Sequence, residues 1–406
     1  MAGMLTLGKP HLGDRRVTID APFYQAGLAG YSDAAMRLIA RRHGCPFCIT
    51  EAMLDVFLLN GGKGLAAAQI DDADHPITGQ LMGSHPVDIA AGAKVLVSLG
   101  YDVVDVNLAC PVKKIKKKAR GGHLLSAPDD AIDILKAVID AVGQDIPLTV
   151  KLRRSYDDSP EQQANFDRIF TAVLGLGYSG ATVHSRTVQQ KYIGPGYRPA
   201  LRQIVEQYGL GTKSEVQSPK YEVRNGKPEG NVDDAVPDTS DFDIRTSNFL
   251  LGGSGDIWKA ADIFDMLETT GVGWVSVARG CIGNPWIFTQ ARRLMSQDPD
   301  PLRPPTVHEQ RDVLLEHFEL SVGLHGEAQA GRMMRKFGIK FARHHAQRDA
   351  IKQRFIAVKT LADWHAVLDG FYAQDGPGVP LEDALPPEAE GAQASPDSCP
   401  EPVSAA

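Results

Sequence analysis

The feature that most constrains this chain is an alternation: from about residue 20 to 290, short apolar runs with strand character take turns with segments of helical period. That order points to a parallel α/β protein, because parallel strands need a crossover and the crossover is usually a helix. Eight runs have strand character, at 22–29, 47–51, 77–82, 102–108, 147–152, 180–184, 248–253 and 273–278. Eight suit a closed (β/α)8 TIM barrel. Without a polar segment at about 210–246, the alternating stretch is about 235 residues long, near the ~250 typical of that fold.

The polar segment is rich in Lys, Glu, Asp, Pro and Gly and has no apolar period, so it reads as an inserted loop. It follows a helix and precedes the seventh strand, which assigns it to the bottom of the barrel, opposite the catalytic face. Helical period returns at 307–372, where Val313, Leu314, Phe318, Leu320 and Leu324 form an apolar set that Gly326 interrupts. The expected organisation is an N-terminal extension (1–18), a barrel (19–295), a small C-terminal all-helical domain (305–373) and a disordered acidic tail (374–406).

No run of eighteen apolar residues exists, which argues against a membrane span. No apolar leader precedes Asp14-Arg15-Arg16, and five sparse cysteines do not suggest a disulfide framework, so a cytoplasmic protein is expected. The net charge of -7 hides a local excess of cations. Residues 375–406 carry seven acids and no Lys or Arg, whereas residues 331–360 carry nine cations against Asp349 alone. A second basic cluster runs from Lys113 through Arg120. Local positive charge of this kind suits a phosphate backbone.

Functional groups of such a barrel gather where strands end. Gln80 ends the third run, Asn107 and Cys110 the fourth, Lys151 and Arg153 the fifth, and His184 and Arg186 the sixth. Gly253-Ser254-Gly255-Asp256 follow the seventh and Ala278-Arg279-Gly280 the eighth. Glycine-rich turns after strands seven and eight can bring backbone N–H groups against a phosphate, with Arg279 as a bidentate clamp. Lys151 could stabilise negative charge that develops on a bound ligand. Cys110 is a candidate proton donor or nucleophile. Cys45-Pro46-Phe47-Cys48 has the spacing of a redox pair or half a zinc site, but no second Cys/His pair completes the latter, so a structural role and no metal are expected.

These segments together resemble the tRNA-dihydrouridine synthases. The resemblance rests on Gln25 to Asp33, Gly79 to Ser84, Asn107 to Lys114 with Gly121 to Leu125, and Val150 to Arg153. Val183 to Thr187, Gly252 to Ile257, Ala278 to Gly280 and Gly283 to Phe288 carry it further, and Met334-Arg335-Lys336 fits the family's helical region. The resemblance implies FMN on the barrel mouth, reduced by NADPH or NADH. Gly27, Leu28 and Ala29 would face the flavin ring and Gln80 and Lys151 would bind its polar edge. His184, Gly253, Ser254, Gly255, Asp256, Ala278 and Arg279 would surround its ribityl phosphate.

For the substrate, the resemblance implies that Asn107 orients the target uracil of a tRNA and that Cys110 protonates C5 after hydride reaches C6 from flavin N5. Arg153, Arg186, Lys113 and Lys114 would contact the substrate. Lys116, Lys117, Arg332, Arg335, Lys336, Lys340 and Arg343 would hold RNA phosphates while the base is flipped out. A monomer is expected. The chain departs from the family pattern at Gly27-Leu28, where Pro-Met is usual, at Ser254, where Asn is usual, and at Ala278, where Gly is usual; weaker FMN retention is the expected consequence. Two other readings stand beside this one: an FMN barrel oxidoreductase of a small pyrimidine, and a catalytically silent tRNA-binding protein.

Overall fold

The computed structural model of the protein describes residues 4–112, 120–210 and 249–381. Lys113, Lys114, Lys116 and Lys117, most of the polar insertion and the end of the acidic tail lie outside the described residues. The chain begins with an antiparallel hairpin of β1 (Leu5–Leu7) and β2 (Val17–Ile19). The strands β3 (Phe23–Gln25), β4 (Cys48–Ile49), β5 (Met53–Leu54) and β6 (Ile77–Met82) follow. Next come β7 (Val103–Leu108), β8 (Leu148–Arg153), β9 (Gly180–His184), β10 (Leu250–Ser254) and β11 (Trp274–Val277). All pairings from β3 to β11 are parallel; β3 pairs with β11 and β4 with β6, which closes an eight-stranded barrel with β5 as a short addition to β6.

Alternation along each strand decides what fills the barrel. In β7, Val104, Val106 and Leu108 pack outward in the core shared with the helices, while Val103 joins the interior base. Asp105 and Asn107 share its parity and so face the interior above it. The helices start where their sequences allow: Pro86, Pro128 and Pro160 occupy first turns, where the missing N–H costs nothing. The Asp33 carboxylate caps the Ala34–Arg42 helix by accepting from Met36 N at 3.0 Å. Gly177 and Gly271 end two others in the left-handed conformation.

Three sequence expectations shift. The first strand ends at Gln25, well short of residue 29, because Leu28 O accepts from both Tyr31 N and Ser32 N in a tight turn at the mouth. The expected N-terminal extension adds to the core: Leu7, Val17 and Ile19 are buried with Tyr24, Phe47, Val103 and Trp274 and stopper the base of the barrel. Residues 374–381 do not belong to a disordered tail, since Gly376 O accepts from Val307 N at 2.9 Å and Val379 N donates to His344 O at 2.8 Å.

The C-terminal region is four helices, Val307–His325, Glu327–Phe341, Arg348–Ala357 and Leu361–Phe371. Gly326, with φ 73°, makes the break between the first two. This region packs over the β3 and β11 side of the barrel mouth and against the Ala34–Arg42 helix, where Arg42 pairs with Glu316. Lys336 Nζ donates to Gly30 O, His325 Nε2 pairs with Asp33 Oδ2 at 3.0 Å, and Arg343 donates to Ile282 O at 2.8 Å. Gly283 (φ 63°) lies so close to the Lys340–Phe341 backbone that a β-carbon would fall 2.7 Å from Phe341 N.

The hairpin yields a stability test. Leu7→Ala removes a fully buried side chain and should cost roughly 2–5 kcal/mol in chemical unfolding followed by circular dichroism. An unchanged midpoint would place the hairpin outside the core.

Candidate functional site

The mouth of the barrel is organised around one buried carboxylate. Asp105 accepts from Thr149 Oγ1 at 2.7 Å through Oδ1 and from Gln80 Nε2 at 2.9 Å through Oδ2. Gln80 and Thr149 are its register partners on β6 and β8, so strand pairing alone brings the three together. With its N–H group thus directed, the Gln80 amide turns Oε1 toward Asn107 Nδ2, 2.7 Å away. The Asn107 amide then turns Oδ1 upward, where it accepts from Ala109 N at 3.0 Å and Cys110 N at 3.1 Å. A chain of four hydrogen-bonded groups therefore runs from the barrel interior to the turn that carries the thiol.

The thiol turn is also gripped from the far side. Gly122 N donates to Cys110 O at 3.0 Å, and Gly121 (φ 58°) packs where a side chain would lie 3.0 Å from Cys110 Cβ. Cys110 itself is partly exposed. Arg153 adds a strut by donating to Ala109 O at 2.9 Å.

Lys151 is the register partner of Asn107 on β8. Part of its stem reaches the surface, but Nζ is shut off from solvent and has no hydrogen-bond partner. Burial pulls its pKa down to about 8, opposed by the nearby Asp105 charge. Burial likewise pushes Asp105 up to about 6, opposed by Thr149, Gln80 and Lys151. A buried ammonium without an acceptor is costly. It marks a place where an anionic or carbonyl-bearing ligand would complete the structure.

A second unfilled place lies where β9, β10 and β11 end. Ser185 Oγ and Arg186 Nη1 are buried without hydrogen-bond partners. Beside them Gly255, at φ 120°, leaves space that a β-carbon would fill against Ser185 Oγ. A hydroxyl, a guanidinium edge and a glycine turn suit a phosphate. His184 next to them is held neutral, its pKa driven far down by burial and by Arg153, Lys151, Arg186 and Arg279. Its Nδ1 accepts from Arg186 N at 3.1 Å.

The other residues singled out from sequence take varied places. Gly27 lies against Thr50 O so closely that a β-carbon would overlap it, and Leu28 N donates to Ser32 Oγ at 2.7 Å. Asp256 is ion-paired with Arg186 at 2.7 Å and accepts from Gly196 N, so its carboxylate is turned into the turn. Arg153 donates to Ala109 O, Thr187 O and Lys191 O, and Arg186 to Gly194 O; both are struts of the rim. Arg279 lies 4.8 Å from the Trp258 ring centroid, with Ala278 as the residue before it. Lys336 and Arg343, expected on RNA, are spent on the seam between helices and barrel, where burial lowers the Lys336 pKa. Arg332 is exposed and Arg335 and Lys340 half-buried on the same helix.

Sequence reasoning passed over Asp105, Thr149, Ser185 and Glu51, whose Oε2 accepts from Gly30 N at 2.7 Å. Asp105 was detectable: it lies two residues before Asn107 on the same face of an otherwise apolar strand. Among the described residues no cluster of three or more His, Cys, Asp or Glu could hold a metal, and Cys45 and Cys48 are both buried. No helix among them is long and apolar enough to cross a membrane.

A parallel barrel whose mouth holds an unpartnered ammonium, an anion cradle and a propped thiol is that of a cofactor-dependent barrel enzyme. The particular family follows from comparison: the family model for dihydrouridine synthase matches residues 24–209 and 245–374, and the chain belongs to that family of flavin-dependent oxidoreductases. It is 29% identical over 350 residues to a probable tRNA-dihydrouridine synthase of Treponema pallidum, covering 84% of this chain and 91% of that one. It is 28% identical over 357 residues to tRNA-dihydrouridine synthase B of Shewanella oneidensis, covering 86% and 94%. Among solved structures, histamine dehydrogenase from Rhizobium sp. 4-9 aligns at a TM-score of 0.48 and 14% identity; 74% of this chain is covered, and the match spans 49% of that protein.

The buried ammonium gives a pH test. Lys151 has a folded pKa below its unfolded value, so the unfolded chain binds more protons between about 8 and 10.5 and stability rises with pH across that window. The flavin-free protein should therefore gain stability relative to Lys151→Met between pH 8 and 10, by on the order of 1–3 kcal/mol in urea titrations. Parallel pH profiles for the two would mean that the ammonium is not buried.

Proposed function

We propose that the protein is a tRNA-dihydrouridine synthase that binds FMN at the barrel mouth, uses NADPH as reductant and saturates the C5=C6 bond of a uridine, with Cys110 as the proton donor. The observation that carries this reading is the meeting, on register partners of β7 and β8, of the Asn107 amide, the thiol turn it supports and the unpartnered Lys151 ammonium. The names of the relatives support tRNA as the substrate.

The residues present fit the cofactor. Lys151 and Gln80 would bind the polar edge of the flavin ring, and Ser185, Arg186 and the Gly253–Gly255 turn would take its phosphate. When bound, the flavin would supply reducing equivalents to C6 of the uracil, and NADPH would replenish them. Charge that develops on the uracil carbonyl as C6 is reduced needs a fixed electrostatic partner, and the site is built to provide one without reorganisation. Asn107 would orient the base through whichever amide group remains outside its bonds to Gln80 and the thiol turn. The Cys110 thiol then gives its proton to C5 and regains one from solvent.

Arg153 and Asp256 act through the turns they hold, and Arg186 holds its turn through Gly194 O while its Nη1 is left for the phosphate. Arg332, Arg335 and Lys340 would meet RNA phosphates, joined by the exposed Lys352 and Arg354 of the Arg348–Ala357 helix and the exposed Lys359 just after it. Lys113, Lys114, Lys116 and Lys117, which follow the thiol turn in sequence, would share that role. The protein works where tRNA is made and matured, in the cytoplasm.

Purified protein should carry flavin and oxidise NADPH faster when unmodified tRNA is added, with dihydrouridine accumulating in the tRNA. Cys110→Ala should retain flavin and its reduction by NADPH but lose at least about 100-fold in dihydrouridine formation, the scale of general-acid catalysis. Full uridine reduction by that variant would rule out Cys110 as the acid.

A further inference from the structure

Residues 185–197, between β9 and the Arg198–Gln207 helix, form a loop held from beneath by buried side chains. Arg153 donates to Thr187 O at 2.8 Å and to Lys191 O at 2.7 Å, Arg186 donates to Gly194 O at 2.9 Å, and Asp256 accepts from Gly196 N at 2.7 Å. Backbone bonds from Val188 N to Ser155 O and from Tyr197 N to Ser185 O pin both ends. A loop tied down at so many points does not expose side chains by fraying. Yet Tyr192, Ile193 and Tyr197 stand 51%, 75% and 50% in solvent.

Both tyrosines are backed by guanidinium groups. Arg154 lies 5.7 Å from the Tyr197 ring centroid, and Arg153 and Arg279 lie 5.6 and 5.4 Å from that of Tyr192. Beside Tyr197 opens a cleft of about 370 Å³ lined by Arg154, Asp158, Gln190, Pro195, Gly196 and Tyr197. Arg154 Nε in its wall has no hydrogen-bond partner. The position of this surface is fixed by Arg153, whose one side chain donates to Ala109 O and to Lys191 O. The Cys110 turn and the Tyr192 turn are therefore neighbours on the rim.

We infer that this loop is a stacking platform for the nucleotides flanking the uridine presented to Cys110, with one nucleobase held against Tyr197 and Arg154 in the cleft. The inference rests on the tRNA reading above. Flipping a base out of a stack leaves its neighbours without a partner, and an aromatic ring backed by a guanidinium replaces the lost contact whatever base is present. Asp158 pairs with Arg154 at 2.5 Å and Gln190 Nε2 donates to Pro195 O at 3.2 Å, so the cleft wall is held in place and Arg154 Nε remains as a donor for the base. A protein partner could also use Tyr and Arg, but one seated here would cover the rim that a substrate strand must cross to reach Cys110.

The test is binding of fluorescently labelled tRNA, purified from cells without dihydrouridine, to the flavin-loaded protein over a range of salt. Tyr197→Ala should weaken binding about tenfold at every salt concentration, leaving the salt slope as in wild type, because stacking releases no counterions. Tyr197→Trp should restore affinity, and flavin content in both should match wild type. Wild-type affinity for Tyr197→Ala, or a change only in salt slope, would overturn the platform while leaving the enzyme reading intact. If wild-type protein formed no dihydrouridine in that tRNA, the reading beneath the inference would fail and the inference with it.

Discussion

The arrangement of the mouth depends on one buried interaction, the acceptance of two hydrogen bonds by Asp105 at the level where β6, β7 and β8 meet. A carboxylate alone in a barrel interior would be untenable as an anion. Burial raises its pKa to about 6, and Thr149, Gln80 and the Lys151 charge oppose that rise, on the side of the anion. Once it is an anion it can only accept, and everything above it follows. Gln80 must point its N–H group down, Asn107 must donate to Gln80, and the freed Asn107 oxygen must receive the backbone of the thiol turn. One charge thereby removes the rotational ambiguity of two amides.

The helical region contributes to the same mouth from outside. Its ties go to Gly30 and Asp33 in the loop after β3 and to Gly280, Ile282 and Gly283 after β11, the two loops that flank the proposed flavin site. Glu51 and Lys336 grip Gly30 from opposite sides, through its N–H and its carbonyl. An RNA docked on the exposed cations of these helices would press on elements already joined to the site. Part of the basic character of residues 331–360 is consequently structural, and the remainder is what faces solvent.

The barrel was legible because parallel strands are buried on both sides and leave continuous apolar runs; the 77–82 and 180–184 runs match β6 and β9 residue for residue. The hairpin at Leu5–Ile19 was not, since three-residue strands carry too few alternations to show a period. Strand-end position located the candidate side chains but not their partners. Arg153 and Arg186 read as substrate contacts, whereas Arg153 meets backbone carbonyls of a loop distant in sequence and Arg186 is held by Gly194 O and the Asp256 carboxylate, with Nη1 left open. Lys336 and Arg343 could not be separated from Arg332 by composition, because only the packing of the helices onto the mouth decides which cations are enclosed.

The dependence of the mouth on Asp105 is tested most directly by Asp105→Asn, a change of one atom's chemistry at constant shape. An amide in that position has one oxygen, so its N–H group must make either Gln80 or Thr149 Oγ1 its acceptor and reverse the direction of that bond, and it removes the charge opposite Lys151. The variant should fold, keep native far-ultraviolet circular dichroism, and lose at least about tenfold in both flavin retention and dihydrouridine formation, the scale of one or two misdirected buried hydrogen bonds. Wild-type flavin retention together with wild-type turnover in Asp105→Asn would show that the amides above it are oriented by something else.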